Sequence, residues 1–377
     1  MASQLNEANL KIIAAAFAAF GRHQVVSVGD AILAFAECRN RTEDHCYPTG
    51  ESVLHAPTRI CMRRSTSGGA NWSDLQILPT GGNAFSQTVV AVGNKVLVHY
   101  TFAGDSLSTD VPTTLPTFQL SSTSQGASWD SPTSLPPALG DCGHYQGGRY
   151  GTVARAPGGG KRLLISAYNA SSVDRPACIY GSDDIGQSWR LMTYMTRPAP
   201  NVEVAIVAVG NGSIVYANGR HHICANPHRS FPAPRVSGFS TDSGASFSLE
   251  LSSSPAGDCD CNGAAFPLLS VGSATVLLAG PAGPPPEPNA REDTHSNNGR
   301  RKMLVHKSTD GARSWGKSPL LVDSGYAGYS AMALVPSPPA AALLYESGGT
   351  SKEFVEKDGC LGSCEISFVR LPDHFVS

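Results

Sequence analysis

Short apolar and β-branched runs of about four to eight residues recur along the whole chain, separated by clusters of Gly, Pro, Ser and Asp. Their alternation is typical of strands, and beyond the N-terminal run no helical period is sustained for about ten residues. The predicted strands are VVSV and AILAFAE within 25–37, KVLVHY from Lys95, RLLISAY from Arg162, SIVYAN from Ser213, TVLLAG from Thr275, KMLVHK from Lys302, AALLYE from Ala341 and CEISFVRL from Cys364. The pattern therefore predicts an all-β protein.

The N-terminal apolar run IIAAAFAAF, residues 12–20, has the length of a signal-peptide core. Cleavage after this run would leave the new chain end almost at Arg22, a candidate site residue discussed below. We therefore interpret the run as a first strand or the approach to one. No stretch of the sequence is apolar enough for long enough to predict a transmembrane segment.

An eight-residue box, STDGARSW at 308–315, has variants upstream at intervals of about 60 residues, which indicates a repeat architecture. The other copies are STSGGANW at 65–72, STSQGASW at 122–129, SDDIGQSW at 182–189 and STDSGASF at 240–247. Each of the four tryptophans in the chain closes a copy. We interpret the boxes as scaffold rather than active site.

Each box predicts a hairpin turn. The Asp or Ser at its third position can accept hydrogen bonds from amides two residues on, its Gly provides a positive φ, and its aromatic residue packs beneath the turn. Ser67 and Ser124 stand where Asp is expected, and in the last copy the glycine is shifted to Gly311.

The repeat length predicts the architecture. Several strands per interval of about 60 residues match one four-stranded propeller blade per repeat. Five boxes and the residues outside them leave room for six blades, closed by pairing of the two ends of the chain. We expect a single domain over residues 1–377, in which the Gly- and Pro-rich segment 280–299 is a loop.

Charge and cysteine content narrow the class of protein. With 28 Lys and Arg against 30 Asp and Glu, the net charge of −2 gives no basic surplus for nucleic acid and no polybasic run for a membrane surface. Ten cysteines favour the secretory pathway, secreted or lysosomal, and so do four glycosylation sequons, at Asn40, Asn71, Asn169 and Asn211. A zinc site is the alternative interpretation of the cysteines, but paired CxxC spacing is absent.

Several motifs together resemble the sialidase (exo-α-neuraminidase) family. They are Asp boxes at intervals of about 60 residues, AILAFAECR at 31–39, an isolated Glu203 before a GNGS turn, GRRKM at 299–303, and AGYS followed by LLYE. The resemblance extends over nearly the whole chain. It implies a six-bladed β-propeller with Asp-box repeats and an active site over its centre.

The implied activity is that of a retaining exo-glycosidase that releases terminal α-linked sialic acid or a related nonulosonic acid. Its substrates would be sialylated glycoproteins, glycolipids or oligosaccharides. The resemblance implies no metal and no organic cofactor, because arginines would supply the positive charge.

A sialic acid carries a carboxylate, so its site needs cations with planar bidentate donors, which means arginines. The resemblance implies three: Arg22 in GRHQ, Arg220 in ANGR, and Arg300 in GRRKM. Arg301 competes with Arg300 for the third position. Arg22 stands where the family has Phe-Arg-Ile-Pro, and this chain lacks the Ile-Pro.

A carboxylate nucleophile would be repelled by the carboxylate of the substrate, and sialidases are the tyrosine exception among retaining glycosidases. By its GYS context, Tyr329 matches the family's nucleophile, and Glu203 matches the base that takes its proton. The general acid would be Asp44, five residues after Arg39, with the adjacent Glu43 as the alternative.

Two residues match supporting positions of the family. Arg39 resembles the residue that contacts the carboxylate region or the 4-substituent of the sugar. Glu346, in LLYES, resembles the carboxylate that orients the first arginine, Arg22.

The chain departs from the family pattern at two places. The loop after Asp44 is expected to be long, with Cys46, Pro48 and Cys61 inside it. The family's frequent Gly-Ile-Gln segment is here Gly-Thr-Val at 151–153, which predicts the loss of one polar contact to the sugar.

Two other functions use the same scaffold. One is a noncatalytic Asp-box propeller that binds glycan or protein, and the other is a trans-sialidase, which would keep the same residues and differ in its acceptor cleft. A binding module would have no reason to keep the arginines, Asp44, Glu203 and Tyr329 at this spacing, which favours an enzyme.

Overall fold

The structure is a computed structural model, and it describes residues 10–13, 19–39, 58–104, 116–135, 146–168, 177–195, 201–221, 235–252, 267–282, 301–336, 338–347 and 365–375. Within these ranges the chain folds into strands, with one turn of 3-10 helix at Asp373–Phe375. The prediction of an all-β protein is confirmed. The described part of the chain contains no helix long and apolar enough to cross a bilayer.

The first half of the chain supplies one short strand, β1, which joins a sheet of the second half, and three sheets of four strands each. The strands are β1 (Leu10–Ile13), β2 (Ala19–Val28), β3 (Ala31–Arg39), β4 (Thr58–Ser65), β5 (Gln76–Ile77), β6 (Asn83–Val92), β7 (Lys95–Gly104), β8 (Thr117–Ser122), β9 (Thr133–Ser134), β10 (Gln146–Arg155), β11 (Lys161–Tyr168), β12 (Ala177–Ser182) and β13 (Arg190–Met195). Sheets β2–β5, β6–β9 and β10–β13 are antiparallel in chain order and form blades one to three.

The second half supplies one more four-stranded sheet and one sheet of seven strands. The strands are β14 (Asn201–Val209), β15 (Ile214–His221), β16 (Arg235–Ser240), β17 (Ser248–Ser252), β18 (Leu268–Val271), β19 (Thr275–Pro281), β20 (Arg301–Ser308), β21 (Leu320–Pro336), β22 (Pro339–Ser347) and β23 (Glu365–Arg370). Sheet β14–β17 is blade four. The seven-stranded sheet has the order β1-β23-β22-β21-β20-β19-β18.

The seven-stranded sheet contains blades five and six, because the long strand β21 belongs to both. As far as Tyr326 it pairs with β20 and is the outer strand of blade five. From Ala327 it pairs with β22 and is the first strand of blade six. β1 completes blade six by pairing with β23, with Leu10 opposite Phe368, so the predicted six blades and their closure by the two ends of the chain are confirmed.

Every predicted strand segment overlaps an observed strand, but several strands are longer than predicted: β2 begins six residues earlier, at Ala19, β7 continues to Gly104 and β15 to His221. The N-terminal run falls partly in β1 and partly in β2. The segment at 280–299 was predicted to be loop from its first residue, but β19 continues through Gly280 and Pro281. Residues 283–300 lie outside the described residues.

The hydrophobic core is divided among the interfaces between neighbouring blades. Val28, Leu33 and Phe35 of blade one pack on Ala84 and Val89 of blade two, for example. Equivalent clusters of buried residues lie at each following interface and between blades six and one. Because burial of one such side chain contributes about 1.5–3 kcal/mol, these contacts hold the blades together as a ring.

The boxes are turns between the third and fourth strands of a blade, as expected of scaffold. In box three the Ser182 hydroxyl accepts the amide of Gly186 at 2.7 Å, and the Asp184 carboxylate accepts the amide of Ser188 at 2.9 Å. In box two the hydroxyl of Ser124 replaces the carboxylate and accepts the amide of Ser128 at 2.8 Å. The third residue of the box therefore binds amides three or four positions further along the chain, not two as predicted from the sequence.

Two consecutive residues of each box have positive φ, which explains the shifted glycine of the last copy. In box three these are Ile185 (φ 58°) and Gly186 (φ 81°). In the last box they are Gly311 (φ 73°) and Ala312 (φ 70°). Glycine adopts a positive φ without steric strain at either of the two positions, so its shift by one residue leaves the turn unchanged.

Each of the first four box turns docks on the preceding blade. A Cβ on the second positive-φ glycine would meet a core side chain there at 2.3 to 2.7 Å: Gly69 against Phe368, Gly126 against Leu33, Gly186 against Leu97 and Gly244 against Leu164. The backbone carbonyl of the residue before each of these glycines accepts a hydrogen bond from an Arg or Lys side chain of that preceding blade: Gly68 from Arg370 (3.1 Å), Gln125 from Arg64 (2.9 Å), Ile185 from Lys95 (3.1 Å) and Ser243 from Arg162 (3.3 Å). The boxes thus connect blades as well as strands.

A disulfide joins Cys38 of β3 to Cys61 of β4, and Cys178 of β12 is also disulfide-bonded. Cys61 was expected in the loop after Asp44, but it lies inside strand β4 with Ala36 opposite it. The bond therefore ties two neighbouring strands of blade one.

Candidate active site

Bulges in the first strands of the blades define the candidate site. In β2, β6, β14 and the second part of β21, the register against the second strand skips by one extra residue. These first strands contact one another around a ring. All four bulges lie near the beginning of their strands, at the end of the propeller opposite the box turns. Because a bulge re-aims the side chains it contains, the repeated bulge directs side chains from several blades to one place over the centre.

The bulge of blade four contains Glu203. The register runs from Val202 opposite Arg220 to Ala205 opposite Asn218, which leaves Glu203 and Val204 in the bulge. Glu203 has a φ of 52°, which costs a non-glycine residue about 1–2 kcal/mol. Backbone strain of this kind is concentrated at functional sites, and here it accompanies a carboxylate that is only 3 % exposed.

The bulge of blade six contains Gly328 and Tyr329. The register runs from Ala327 opposite Ser347 to Ser330 opposite Tyr345. The Tyr329 hydroxyl donates to the Oε1 atom of Glu203 at 3.2 Å, although 126 positions separate the two residues. Two residues that the family resemblance paired as nucleophile and base are thus in hydrogen-bond contact, between blades four and six.

The carboxylate of Glu346 supports the bulge from the neighbouring strand. Its Oε2 accepts the backbone amide of Tyr329 at 3.1 Å, and its side chain is 2 % exposed. A Cβ on Gly328 would lie 2.1 Å from the same oxygen, so only glycine permits this approach. Glu346 was expected to orient Arg22. Its described bond is to the backbone of Tyr329, and the Arg22 contact stays a prediction because the side chain of Arg22 lies outside the described residues.

Backbone positions are described for four of the predicted arginine candidates. Arg22 lies in the bulge of β2, next to Gly21, which faces Glu37. Arg39 is the last residue of β3, and Arg220 lies opposite Val202, one residue from Glu203. Arg301 begins β20, where Lys302 has a φ of 58° and the register shifts. The backbone therefore brings Arg22 and Arg220 to the same end of the propeller as Tyr329.

Three predicted residues, Asp44, its alternative Glu43, and Arg300, lie outside the described residues. The general acid and the choice between Arg300 and Arg301 therefore stay predictions. In the Gly-Thr-Val segment, the Thr152 hydroxyl accepts the amide of Ala208 in blade four at 3.1 Å. This residue thus links two blades.

The sequence interpretation missed two side chains of this region. Glu37 is 1 % exposed and was not predicted as a site residue, although it lies in the motif AILAFAECR, whose residue Arg39 was. Tyr150, in the bulge of β10, donates its hydroxyl to the carbonyl of Ser330 at 2.5 Å. No motif marks Tyr150.

Three buried glutamate carboxylates dominate the electrostatics of the site. Glu37, Glu203 and Glu346 are each at most 3 % exposed, and ionised carboxylates are stable at such depth only with cations or several hydrogen bonds. The predicted arginines lie on the strands beside them. Burial, followed by the nearby Asp323 carboxylate, raises the pKa of Tyr345, so that its hydroxyl stays a donor to Asp323. Among the described residues, no group of three or more His, Cys, Asp or Glu could hold a metal ion.

The model of the BNR repeat-like domain family matches residues 55–338. No curated protein matches the chain significantly.

Solved structures with the same fold include a Trypanosoma rangeli sialidase in complex with the inhibitor DANA, with a TM-score of 0.64 and 15 % identity over 94 % of this chain and 55 % of that one. A K499G mutant of NanB sialidase from Streptococcus pneumoniae has a TM-score of 0.66 and 12 % identity, over 95 % of this chain and 69 % of that one. A Trypanosoma rangeli sialidase in complex with 2,3-difluorosialic acid, described as a covalent intermediate, has a TM-score of 0.65 and 16 % identity over 100 % of this chain and 60 % of that one. The chain thus spans about half to two thirds of these structures.

Proposed function

The chain belongs to the BNR repeat-like domain family and has a sialidase-like Asp-box propeller fold, and from this premise we propose that it is a retaining exo-α-sialidase. It would hydrolyse terminal α-linked sialic acid, or a related nonulosonic acid, from glycoproteins, glycolipids or oligosaccharides. The observation that carries the proposal is the hydrogen bond from Tyr329 to Glu203, formed between two strand bulges on different blades. A tyrosine bound to a buried carboxylate is the pair that this chemistry needs.

In the first half of the proposed reaction, the Tyr329 oxygen attacks the anomeric carbon while Glu203 takes the phenol proton. The bond to the leaving group breaks, and its oxygen takes a proton from Asp44, or from Glu43 if that is the acid. In the second half, water attacks the same carbon, the acid takes back a proton, and Tyr329 leaves with the proton held by Glu203. Two displacements on one carbon retain its configuration.

The arginines Arg22, Arg220 and Arg300 would bind the substrate carboxylate, with Arg301 as the alternative to Arg300, and Arg39 would contact the carboxylate region or the 4-substituent. The register of Arg220 beside Glu203, and the bulge at Arg22, support this assignment. Glu346 would keep the backbone at Tyr329 in place.

The test is turnover of 4-methylumbelliferyl glycosides of three acids: N-acetylneuraminic acid, its deaminated analogue and the eight-carbon keto-deoxy acid. Wild-type protein should turn over at least one of them, and Tyr329→Phe should lose at least about 10³-fold in kcat with an unchanged thermal midpoint, since only the nucleophilic oxygen is removed.

Tyr345→Phe is the matched control, because it too removes a tyrosine hydroxyl that donates to a carboxylate, Asp323, at 3.0 Å. It should lose stability but retain turnover. Binding of the sugars without turnover by wild-type protein would favour the noncatalytic module. Wild-type kcat in Tyr329→Phe would exclude Tyr329 as the nucleophile.

A further inference from the structure

The side chain of Tyr150 connects two blades across the centre of the propeller. Tyr150 lies on β10, the first strand of blade three, and its hydroxyl donates to the Ser330 carbonyl in blade six at 2.5 Å. Blades three and six are opposite each other in a ring of six. The aromatic ring packs against the clusters between blades six and one and between blades four and five. Tyr150 therefore reaches across the central axis.

The local structure of β10 explains this reach. From Gly147 opposite Ala167 to Gly151 opposite Ile165, β10 advances four residues while β11 advances two. This bulge holds one more residue than those in β2, β6, β14 and β21. Gly151 also allows close approach to blade two, since a Cβ there would lie 2.7 Å from the Cβ of Val90. The longer bulge and the close approach carry Tyr150 toward the axis.

The acceptor of this hydrogen bond lies directly beside Tyr329. Over residues 327–336, β21 pairs with β22 on one side only, and its other edge faces the axis. An unpaired strand edge leaves carbonyls without ladder partners. Tyr150 supplies a donor to the Ser330 carbonyl, while Glu346 accepts the amide of Tyr329 at 3.1 Å. Two side chains from different blades thus hold the backbone on both sides of the Tyr329 side chain.

We infer that Tyr150 is a positioning residue, whose hydroxyl fixes the backbone at 329–330 so that the Tyr329 hydroxyl meets Glu203. The kinetic part of this inference rests on the proposed function, whereas the geometric part does not. Misplacement of a reacting group by about 1 Å costs on the order of 10²-fold in rate. Loss of the Tyr150 hydroxyl should therefore lower kcat without removing any group that touches substrate.

The test compares Tyr150→Phe with Tyr100→Phe. Phenylalanine keeps the ring that fills the centre and removes only the hydroxyl. Tyr100, on β7 of blade two, is the matched control because it is buried and its hydroxyl also donates to a backbone carbonyl, that of Thr80, at 3.3 Å. The first measurement is the NMR signal of the Tyr329 ring in protein with 13C-labelled tyrosine, assigned by its absence in Tyr329→Phe. The second is kcat and KM on the best glycoside of the panel.

Tyr150→Phe should shift the Tyr329 signal and lower kcat by about 10- to 100-fold, with KM changed less than about threefold. Tyr100→Phe should leave both unchanged. An unmoved Tyr329 signal in Tyr150→Phe overturns the inference, whatever the activity. A moved signal with wild-type kcat overturns its kinetic part. A moved signal in a protein whose wild type turns over no glycoside supports the positioning and rejects the proposed function.

Discussion

Two buried histidines make the stability of this propeller depend on pH. Burial lowers the pKa of His99 to about 4, although the hydrogen bond to Gln119 partly opposes the shift. Burial also lowers the pKa of His306 to about 4. Neither Nδ1 atom has a hydrogen-bond partner among the described residues. Both histidines are therefore neutral in the folded protein at pH 7, and at low pH a proton must be added to a buried side chain.

The magnitude follows from the two pKa values. An unfolded histidine binds its proton near pH 6.5 and the folded one near pH 4, so the stabilisation is complete above pH 6.5 and is lost as the pH falls toward 4. One pKa unit corresponds to 1.36 kcal/mol, so each histidine removes about 2 kcal/mol by pH 5 and about 3 kcal/mol by pH 4. Together they remove about 4 kcal/mol between pH 7 and pH 5, which is large against a typical stability of about 5–15 kcal/mol.

His99 lies at the contact between blades two and three, so its protonation at low pH affects that contact. Its ring lies edge-on to Trp189 of blade three, with centroids 4.5 Å apart. Its Nε2 is 2.8 Å from the Oε1 of Gln119, which also accepts the indole N–H of Trp189 at 2.8 Å. The Gln119 amide donates to the carbonyl of Gly186 at 3.1 Å. Charging His99 therefore weakens the interface between blades two and three.

The assay is urea unfolding of wild type, His99→Phe and His306→Phe at pH 7, 6 and 5. Phenylalanine cannot be protonated, and in His99→Phe the Gln119 oxygen keeps its bond from Trp189. Each single variant should lose about 2 kcal/mol less than wild type between pH 7 and pH 5, whatever its stability at pH 7. Equal losses in wild type and His99→Phe would refute the assignment of a depressed pKa to His99.

Two other substitutions test local geometry. Gly328→Ala places a Cβ 2.1 Å from the Glu346 oxygen that accepts the amide of Tyr329, so it should lower kcat by about 10²-fold. The control Gly158→Ala, whose Cβ would have nothing within 4 Å, should leave kcat unchanged. Equal kcat values in the two variants would contradict the role of the bulge. Ser124→Asp should raise the free energy of unfolding, measured in urea, by about 0.5–1.5 kcal/mol. The new carboxylate can accept hydrogen bonds from both the amide and the hydroxyl of Ser128, as Asp184 does from Ser188. No gain in stability would show that the existing serine bond is already equivalent.

The strands that were predicted from the sequence are mostly the second strands of the blades. These strands have neighbours on both sides, and their residues are almost continuously buried, as in β11 and β22. They are therefore unbroken apolar runs. The outer strands β5 and β9 are two exposed residues long and leave no pattern to recognise.

The first strands were mostly missed for a different reason. A bulge interrupts the period of two, so that NAFSQTVVAV in β6 and NVEVAIVAV in β14 lose their alternation near the site. The box turns were recognised because their serine, glycine and aromatic positions repeat. The predicted hydrogen-bond partners were wrong by one or two residues, because the sequence does not show that two adjacent residues take positive φ.

At the candidate site, motifs selected Glu203, Tyr329 and Glu346, and these three are in hydrogen-bond contact. Their selection depended on local context within each motif. Tyr150 reaches the site only through the closure of the ring, which brings blade three opposite blade six. No local pattern reports a contact of that kind.

The pairing of β1 with β23 constrains the order in which the propeller can fold during synthesis. β1 leaves the ribosome before any other described strand, yet its partner is the last described strand to be made. Until then blade six lacks both its third and its outer strand, and the apolar face that blade six turns to blade one is not fully formed. Apolar surface that is exposed during folding promotes aggregation with other chains. Folding of a nascent ring can therefore proceed blade by blade, but it ends only with a contact of near-maximal sequence separation, which is intrinsically slow.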